Sequence, residues 1–249
     1  MNKNLWQAVA LTAAAFTPMM AEDAPEDPTA WKVSAGVNFA VAKGNTDTLL
    51  AGANILGLKK WDKNEFTAGA DGTYGDNTDI ATGVKTTTAQ NYGGFLQYNR
   101  LFSERLYGYA RGDARVDEVA NINYRFQLSP GVGYYLIKND RTTLSGEAGP
   151  GVVFEQLEGV DSAQYFTVRL GEKFTHKFNE RVRLMQDFEI LPQVDRWENY
   201  VVNASATVEA DLTKKLATRL TVQDNYRSEP APGRKNNDVR VLAGLAYKF

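Results

Sequence analysis

The sequence predicts an all-β chain: a transmembrane, antiparallel, up-and-down β-barrel of about twelve strands, preceded by a signal peptide. Three observations carry this. The first is alternation. At the C-terminus Val239, Val241, Ala243, Leu245, Tyr247 and Phe249 are apolar, with Arg240, Leu242, Gly244, Ala246 and Lys248 between them. Successive side chains of a strand point to opposite faces, so one face is apolar and the other carries both charges. The second is average polarity. The chain has 249 residues, 43% of them hydrophobic, and a mean hydropathy of -0.40. A helical membrane protein needs long apolar runs, whereas a barrel hides its membrane face in alternation. The third is the aromatic ending, expected of a strand that closes a sheet and rests its ring at a membrane interface.

The strands follow in order. The first runs from Trp31 to about Val41, with apolar Val33, Ala35, Val37 and Phe39 alternating, and Gly44-Asn45-Thr46-Asp47 turns it. The second covers Leu49–Lys60 and turns at Trp61-Asp62-Lys63-Asn64. The third opposes Phe66, Ala68, Ala70 and Tyr74 to Thr67, Asp71 and Thr73, and a polar loop from Gly75 to Thr86 is expected after it. The fourth opposes Tyr92, Leu96 and Tyr98 to Asn91, Gln97 and Asn99, and turns at Phe102-Ser103-Glu104-Arg105. The fifth places Leu106, Ala110, Ala114 and Val116 opposite Tyr107, Tyr109, Arg111, Asp113, Arg115 and Asp117.

The sixth sets Tyr124, Phe126, Leu128, Val132 and Tyr134 against Arg125, Gln127 and Ser129, turning at Lys138-Asn139-Asp140. The seventh sets Leu144, Ala148, Val152 and Phe154 against Ser145, Glu147 and Glu155. In the eighth, Phe166, Val168, Leu170 and Phe174 oppose Tyr165, Arg169 and Lys173, and Asn179-Glu180 turns it. The ninth sets Val182, Leu184, Phe188 and Ile190 against Arg183, Asp187 and Glu189. The tenth sets Tyr200, Val202, Val208 and Ala210 against Asn203, Ser205 and Glu209, turning at Thr213-Lys214-Lys215. The eleventh sets Leu216, Leu220 and Val222 against Arg219, Gln223 and Asn225; a Pro/Gly/Lys loop from Ser228 to Asn237 leads to the closing strand. Connections after the even-numbered strands read as tight periplasmic turns. Those after the third and eleventh read as the longest external loops, though none looks long enough for a folded plug.

Residues 1–21 read as a signal peptide, with Lys3, an alanine-rich apolar run and cleavage after Ala21. Residues 22–29 read as a short disordered lead-in, leaving 30–249 as the barrel. The expected address is the outer membrane of a Gram-negative-type bacterium. The chain lacks cysteine and has one histidine, which removes thiolate chemistry and offers little for a metal or cofactor. A net charge of -2 argues against nucleic acid as a partner.

With the apolar faces on lipid, the lumen is lined by Asp71, Tyr107, Tyr109, Arg111, Asp113, Arg115, Asp117, Arg125, Glu147, Arg169, Lys173, Asp187, Glu189, Glu209, Arg219 and Arg240. Their signs are mixed. The plain reading is a salt-bridge lattice that holds the wall, since an isolated enclosed charge costs several kcal/mol. The sharper reading is a selective pore or binding barrel using Arg111, Arg115, Arg125 and Arg169 with Tyr107, Tyr109, Tyr135 and Tyr165. A hydrolase would need His176 or the Asp187–Glu189 pair. His176 has no neighbouring serine, and Arg183 is an ordinary partner for the carboxylates. A soluble lipocalin-like or two-sheet protein would reverse the two faces.

Several strings carry a resemblance. They are Gly44-Asn45-Thr46-Asp47-Thr48, Leu101-Phe102-Ser103-Glu104-Arg105-Leu106-Tyr107, Gly131-Val132-Gly133-Tyr134, Arg141-Thr142-Thr143-Leu144, Gly149-Pro150-Gly151, Ser228-Glu229-Pro230 with Pro232-Gly233, and Tyr247-Lys248-Phe249. Their order resembles that of the YdiY-like family of salt-induced outer-membrane proteins, defined largely as a domain of unknown function. The resemblance implies a barrel, outer-membrane lipids as surroundings and a link to salt stress, with no substrate and no catalytic residues. The ending, with Gly244, Tyr247 and Phe249, looks like the signal read by the barrel-assembly machinery; Leu242 departs from the polar residue usual there.

Overall fold

The computed structural model describes residues 29–42, 46–231 and 233–249. The signal-peptide and most of the lead-in expectations lie outside them, as does the Gly44-Asn45 tip of the first hairpin. The described residues form twelve strands: β1 (Lys32–Ala42), β2 (Thr46–Trp61), β3 (Asn64–Asp79), β4 (Lys85–Leu101), β5 (Leu106–Asp117), β6 (Ile122–Lys138), β7 (Thr142–Leu157), β8 (Ala163–Lys177), β9 (Val182–Gln193), β10 (Arg196–Asp211), β11 (Leu216–Arg227) and β12 (Asn237–Lys248). Each pairs antiparallel with its sequence neighbours, and β12 pairs with β1 to close the barrel. Strands of 11 to 17 residues exceed the 9–11 needed for a tilted bilayer crossing.

Register turns alternation into two surfaces. Directly paired residues share a face, so the pairs Asp71↔Gly93, Gly93↔Arg115 and Arg115↔Arg125 carry one polar face around β3 to β6. On the other face Phe39, Tyr92, Leu96, Val132, Leu170, Leu220, Val239 and Val241 stand exposed on the outside of the barrel. Glu147, Arg169 and Glu209 are buried inside it. Apolar outside and ionic inside is the reverse of a soluble cup, and it is the arrangement of a barrel that crosses a membrane.

The start of β1 and the end of β12 lie at one end, here called the terminal end; the connections β1–β2, β3–β4, β5–β6, β7–β8, β9–β10 and β11–β12 lie at the far end. At the terminal end Asp62 takes a positive φ of 47° in the turn after Trp61. Trp31 meets Phe66 edge-on at 5.8 Å, His176 sits between Phe174 and Phe178, and Tyr247 meets Phe249 at 5.0 Å. These outward rings form the aromatic border expected where lipid meets water.

Several expectations are corrected. The loop expected over Gly75–Thr86 shrinks to residues 80–84, because Asp76, Asn77 and Thr78 pair with Thr87, Thr86 and Lys85. Polar side chains there need water, and the ends of long strands project beyond the apolar band. Likewise Thr46 and Asp47 belong to β2 rather than to the first turn. Connection lengths therefore alternate less than the sequence suggests; residues 228–236 alone stand out. That segment also acts on the mouth, contrary to expectation. Ala231 is buried, and Lys235 and Asn236 line the interior.

The closing seam is short. β1 and β12 share five paired positions, against eleven for β11 and β12. Gly244 makes that closure fit: a Cβ there would lie 2.1 Å from the Val37 carbonyl oxygen. Leu242 points inward and is buried, whereas Tyr247 is exposed outside. Acidic residues on the outward face include Glu172 between Gly146 and Phe188, and Asp224 between Ala204 and Val239.

Candidate functional site

The candidate site is the lumen. Eight strands give an interior that side chains fill, and sixteen leave an aqueous channel. At twelve, the side chains decide. All sixteen lumen residues expected from the alternation lie on the inward face by register. They divide into two tight clusters near the terminal end and a looser group toward the far end.

The first tight cluster centres on Glu147 of β7, whose side chain is 1% exposed. It accepts hydrogen bonds from Gln97 Nε2 at 2.7 Å, Tyr107 Oη at 3.0 Å and Arg169 Nη1 at 2.8 Å, with Lys173 Nζ at 3.4 Å. Arg169 also donates to Glu189 and lies over the Tyr109 ring. Lys173 of β8 reaches Gln97 of β4 at 2.8 Å, which spans the interior. Arg111 grips Asp113 at 2.6 Å and packs on Phe95, an inward aromatic, 4.3 Å from its centroid. Tyr107 lies flat because its neighbour is Gly133, where a Cβ would be 2.2 Å from the ring. The tyrosines are thereby fixed as wall: Tyr107 on Glu147, Tyr135 on Glu65 at 2.9 Å, and Tyr165 on Glu155 at 2.7 Å.

The second cluster centres on Glu209 of β10, fully buried and ringed by three cations. Arg219 Nε donates at 2.6 Å, Lys248 Nζ lies at 2.9 Å, and Arg183 completes the ring. Arg183 was expected to partner Asp187 and Glu189; it turns to Glu209 instead, its direct neighbour across β9 and β10. Glu189 is held by Arg169 and Asn203, and Asp187 stands exposed to the lumen opposite Lys173. An enclosed carboxylate with three or four donors is satisfied in a way that a lone one is not.

Toward the far end contacts lengthen. Arg115 meets Asp71 at 3.2 Å, Arg125 and Arg227 reach Glu155 at 3.7 and 3.4 Å, and Arg240 of β12 reaches Asp117 of β5 at 3.5 Å. These residues surround a chamber of about 310 Å³, roofed by Lys235 and Asn236. Arg234 of the same segment donates to Asn121 at the β5–β6 turn, tying the roof across the mouth.

His176 lies outside the barrel, with Nδ1 2.9 Å from Thr142 Oγ1. It faces outward, whereas Asp187 and Glu189 face the lumen, so the two alternative positions for a hydrolase lie on opposite sides of the sheet. No group of histidine and carboxylate side chains fit to hold a metal occurs among the described residues. Sequence reasoning left Glu65, Phe95, Gln97, Glu155, Arg183, Arg227 and Lys248 out of the lumen set. Strand phase alone would have placed each of them, since each falls an even number of residues from a polar-face residue of its own strand.

Solved structures of similar fold include the NanC porin, with a TM-score of 0.55 at 9% identity over 88% of this chain and 100% of that one. The translocator domain of autotransporter NalP from Neisseria meningitidis gives 0.46 at 12% identity, covering 90% of each chain. The KdgM porin gives 0.45 at 8% identity over 88% of this chain and 99% of that one. At such identities the likeness is one of fold. No curated protein matches the chain. Residues 33–249 match the family described as "Protein of unknown function, DUF481", and the chain belongs to that family.

Proposed function

We propose that this protein is an outer-membrane barrel of a Gram-negative-type bacterium, its terminal end in the periplasm, that lets small polar solutes or ions pass through a constricted lumen. The single observation behind the reading is the chamber of about 310 Å³, lined by many charged and polar side chains, inside an apolar-coated cylinder. The Lys173–Gln97 bridge narrows the terminal half, and residues 228–236 narrow the mouth. Mixed signs along the wall give weak ion preference, because rings of one sign are what make a pore strongly selective. Outer-membrane lipids surround it and the barrel-assembly machinery inserts it through the Gly244, Tyr247 and Phe249 ending.

Planar bilayers test this. The purified protein gives small conductance steps with little cation or anion bias. The double variant Lys173→Ala with Gln97→Ala gives larger steps, since the cross-lumen bridge is gone. Absence of any step in both proteins would leave a purely structural barrel. The resemblance to YdiY-like proteins adds an expectation in the cell: transcript abundance rises after a salt shift, and a flat response removes the osmotic link.

A further inference from the structure

The two halves of the lumen treat their arginines differently. Near the terminal end, pairing is close: Arg169 on Glu147 at 2.8 Å and Arg219 on Glu209 at 2.6 Å. Toward the far end Arg115, Arg125 and Arg227 pair at longer range, whereas Arg240 holds Asp238 closely and Asp117 lines the same chamber. Arg115 has Asp71 at 3.2 Å, while Arg125 and Arg227 share Glu155 at 3.7 and 3.4 Å. Arg115 and Arg125 also sit directly opposite each other across β5 and β6, and like charges so placed repel. The Arg125 side chain is 10% exposed, yet its Nε–H has no hydrogen-bond partner. A buried donor without an acceptor is costly, more so when charged. Tyr109 Oη and Arg183 Nε are likewise unpaired in the inward wall; what sets Arg125 apart is its place directly opposite Arg115.

The chamber has a second character. Val201 pairs with Arg227 on one side and Leu191 on the other, so an apolar strip borders the guanidinium. Leu191, Val201 and Ile122 are buried and line the chamber. Cationic forks beside an apolar strip match a solute with an oxyanion at one end and an apolar body at the other.

We propose that the far half of the lumen is a binding site for small organic carboxylates, with Arg115, Arg125 and Arg227 receiving the carboxylate and Leu191, Val201 and Ile122 taking the apolar body. The site deepens the passage reading by naming a solute class. An incoming carboxylate relieves the Arg115–Arg125 repulsion. Passage would then saturate with such solutes while inorganic ions move with little bias.

Equilibrium dialysis of the full, folded barrel in detergent micelles tests the site without requiring current, so its failure is separable from failure of passage. The probe is benzoate, with benzyl alcohol and inorganic phosphate as comparisons. Benzoate binds, benzyl alcohol does not, and phosphate binds more weakly. Arg125→Gln and Arg227→Gln each weaken benzoate about tenfold or more, the loss of one charged hydrogen-bond partner. Arg196→Gln, at the exposed rim on Glu229, leaves it unchanged. Benzoate binding to the unaltered protein also falls as ionic strength rises, a readout that needs no variant to fold. No benzoate binding, or binding insensitive to both arginine variants and to salt, overturns the site. Benzyl alcohol or phosphate bound as tightly as benzoate overturns the assignment to organic carboxylates.

Discussion

At the scale of single residues, the barrel is held inside by a few carboxylates that gather several donors each. Glu147 and Glu209 are almost without exposure, and each lies among partners from three or more strands. Removing either leaves cations enclosed without their counter-charge. Glu147→Ala and Glu209→Ala are each expected to destabilise the barrel by about 3–5 kcal/mol. Urea unfolding from vesicles, followed by tryptophan fluorescence, measures this. Lys60→Ala makes the contrast, because its side chain is 54% exposed beside Glu65 and its loss should cost under about 1 kcal/mol. Equal effects of the three substitutions would remove the two-cluster account of the lumen. Gly133→Ala belongs at this scale too. Its methyl would meet the Tyr107 ring, which Glu147 and the wall hold in place, so a loss of about 1–3 kcal/mol is expected.

At the scale of elements, alternation made the strands legible and left their ends obscure. Every strand read from the sequence is present, the tight turn at Phe102–Arg105 falls where turn residues placed it, and the turn expected at Lys138–Asp140 lies one residue later, because Lys138 ends β6. The failures share one cause. Asp76, Asn77, Thr78 and Thr86 read as loop because they are polar on both faces, yet a strand outside the apolar band has no apolar face to show. The direction of side chains across the interior was equally hidden. Register aligns Arg183 with Glu209, and only three-dimensional closure brings Lys173 to Gln97 or Arg240 to Asp117. Glu172 went unremarked because alternation was judged on the other residues of β8. It stands on the lipid face midway between Phe166 and Phe178, where a carboxylate is costly. Glu172→Leu is expected to stabilise the vesicle-embedded barrel by about 1–2 kcal/mol, read from the same urea titration. The short β1–β12 seam predicts an order of opening: amide exchange in β1 and β12 precedes that in β6 and β7, which share a longer ladder.

At the scale of the whole molecule, one cylinder carries two solvents. Its outer wall replaces water with acyl chains, and its inner wall replaces water with ion pairs, except in the chamber below residues 228–236. Shortening that segment should enlarge the conductance steps in planar bilayers, as it removes Lys235 and Asn236 from the mouth without touching the Glu147 or Glu209 clusters. Unchanged steps would place the constriction wholly in the terminal half. The chain has no cysteine, so single cysteines can report each face in turn. The most direct measurement is spin-label accessibility in lipid vesicles at Leu170→Cys and Val241→Cys on the outer face and at Asp187→Cys and Ser205→Cys on the inner one. The account predicts oxygen-accessible, water-poor labels at the first pair and labels relaxed by a water-soluble reagent at the second; the opposite assignment would contradict it.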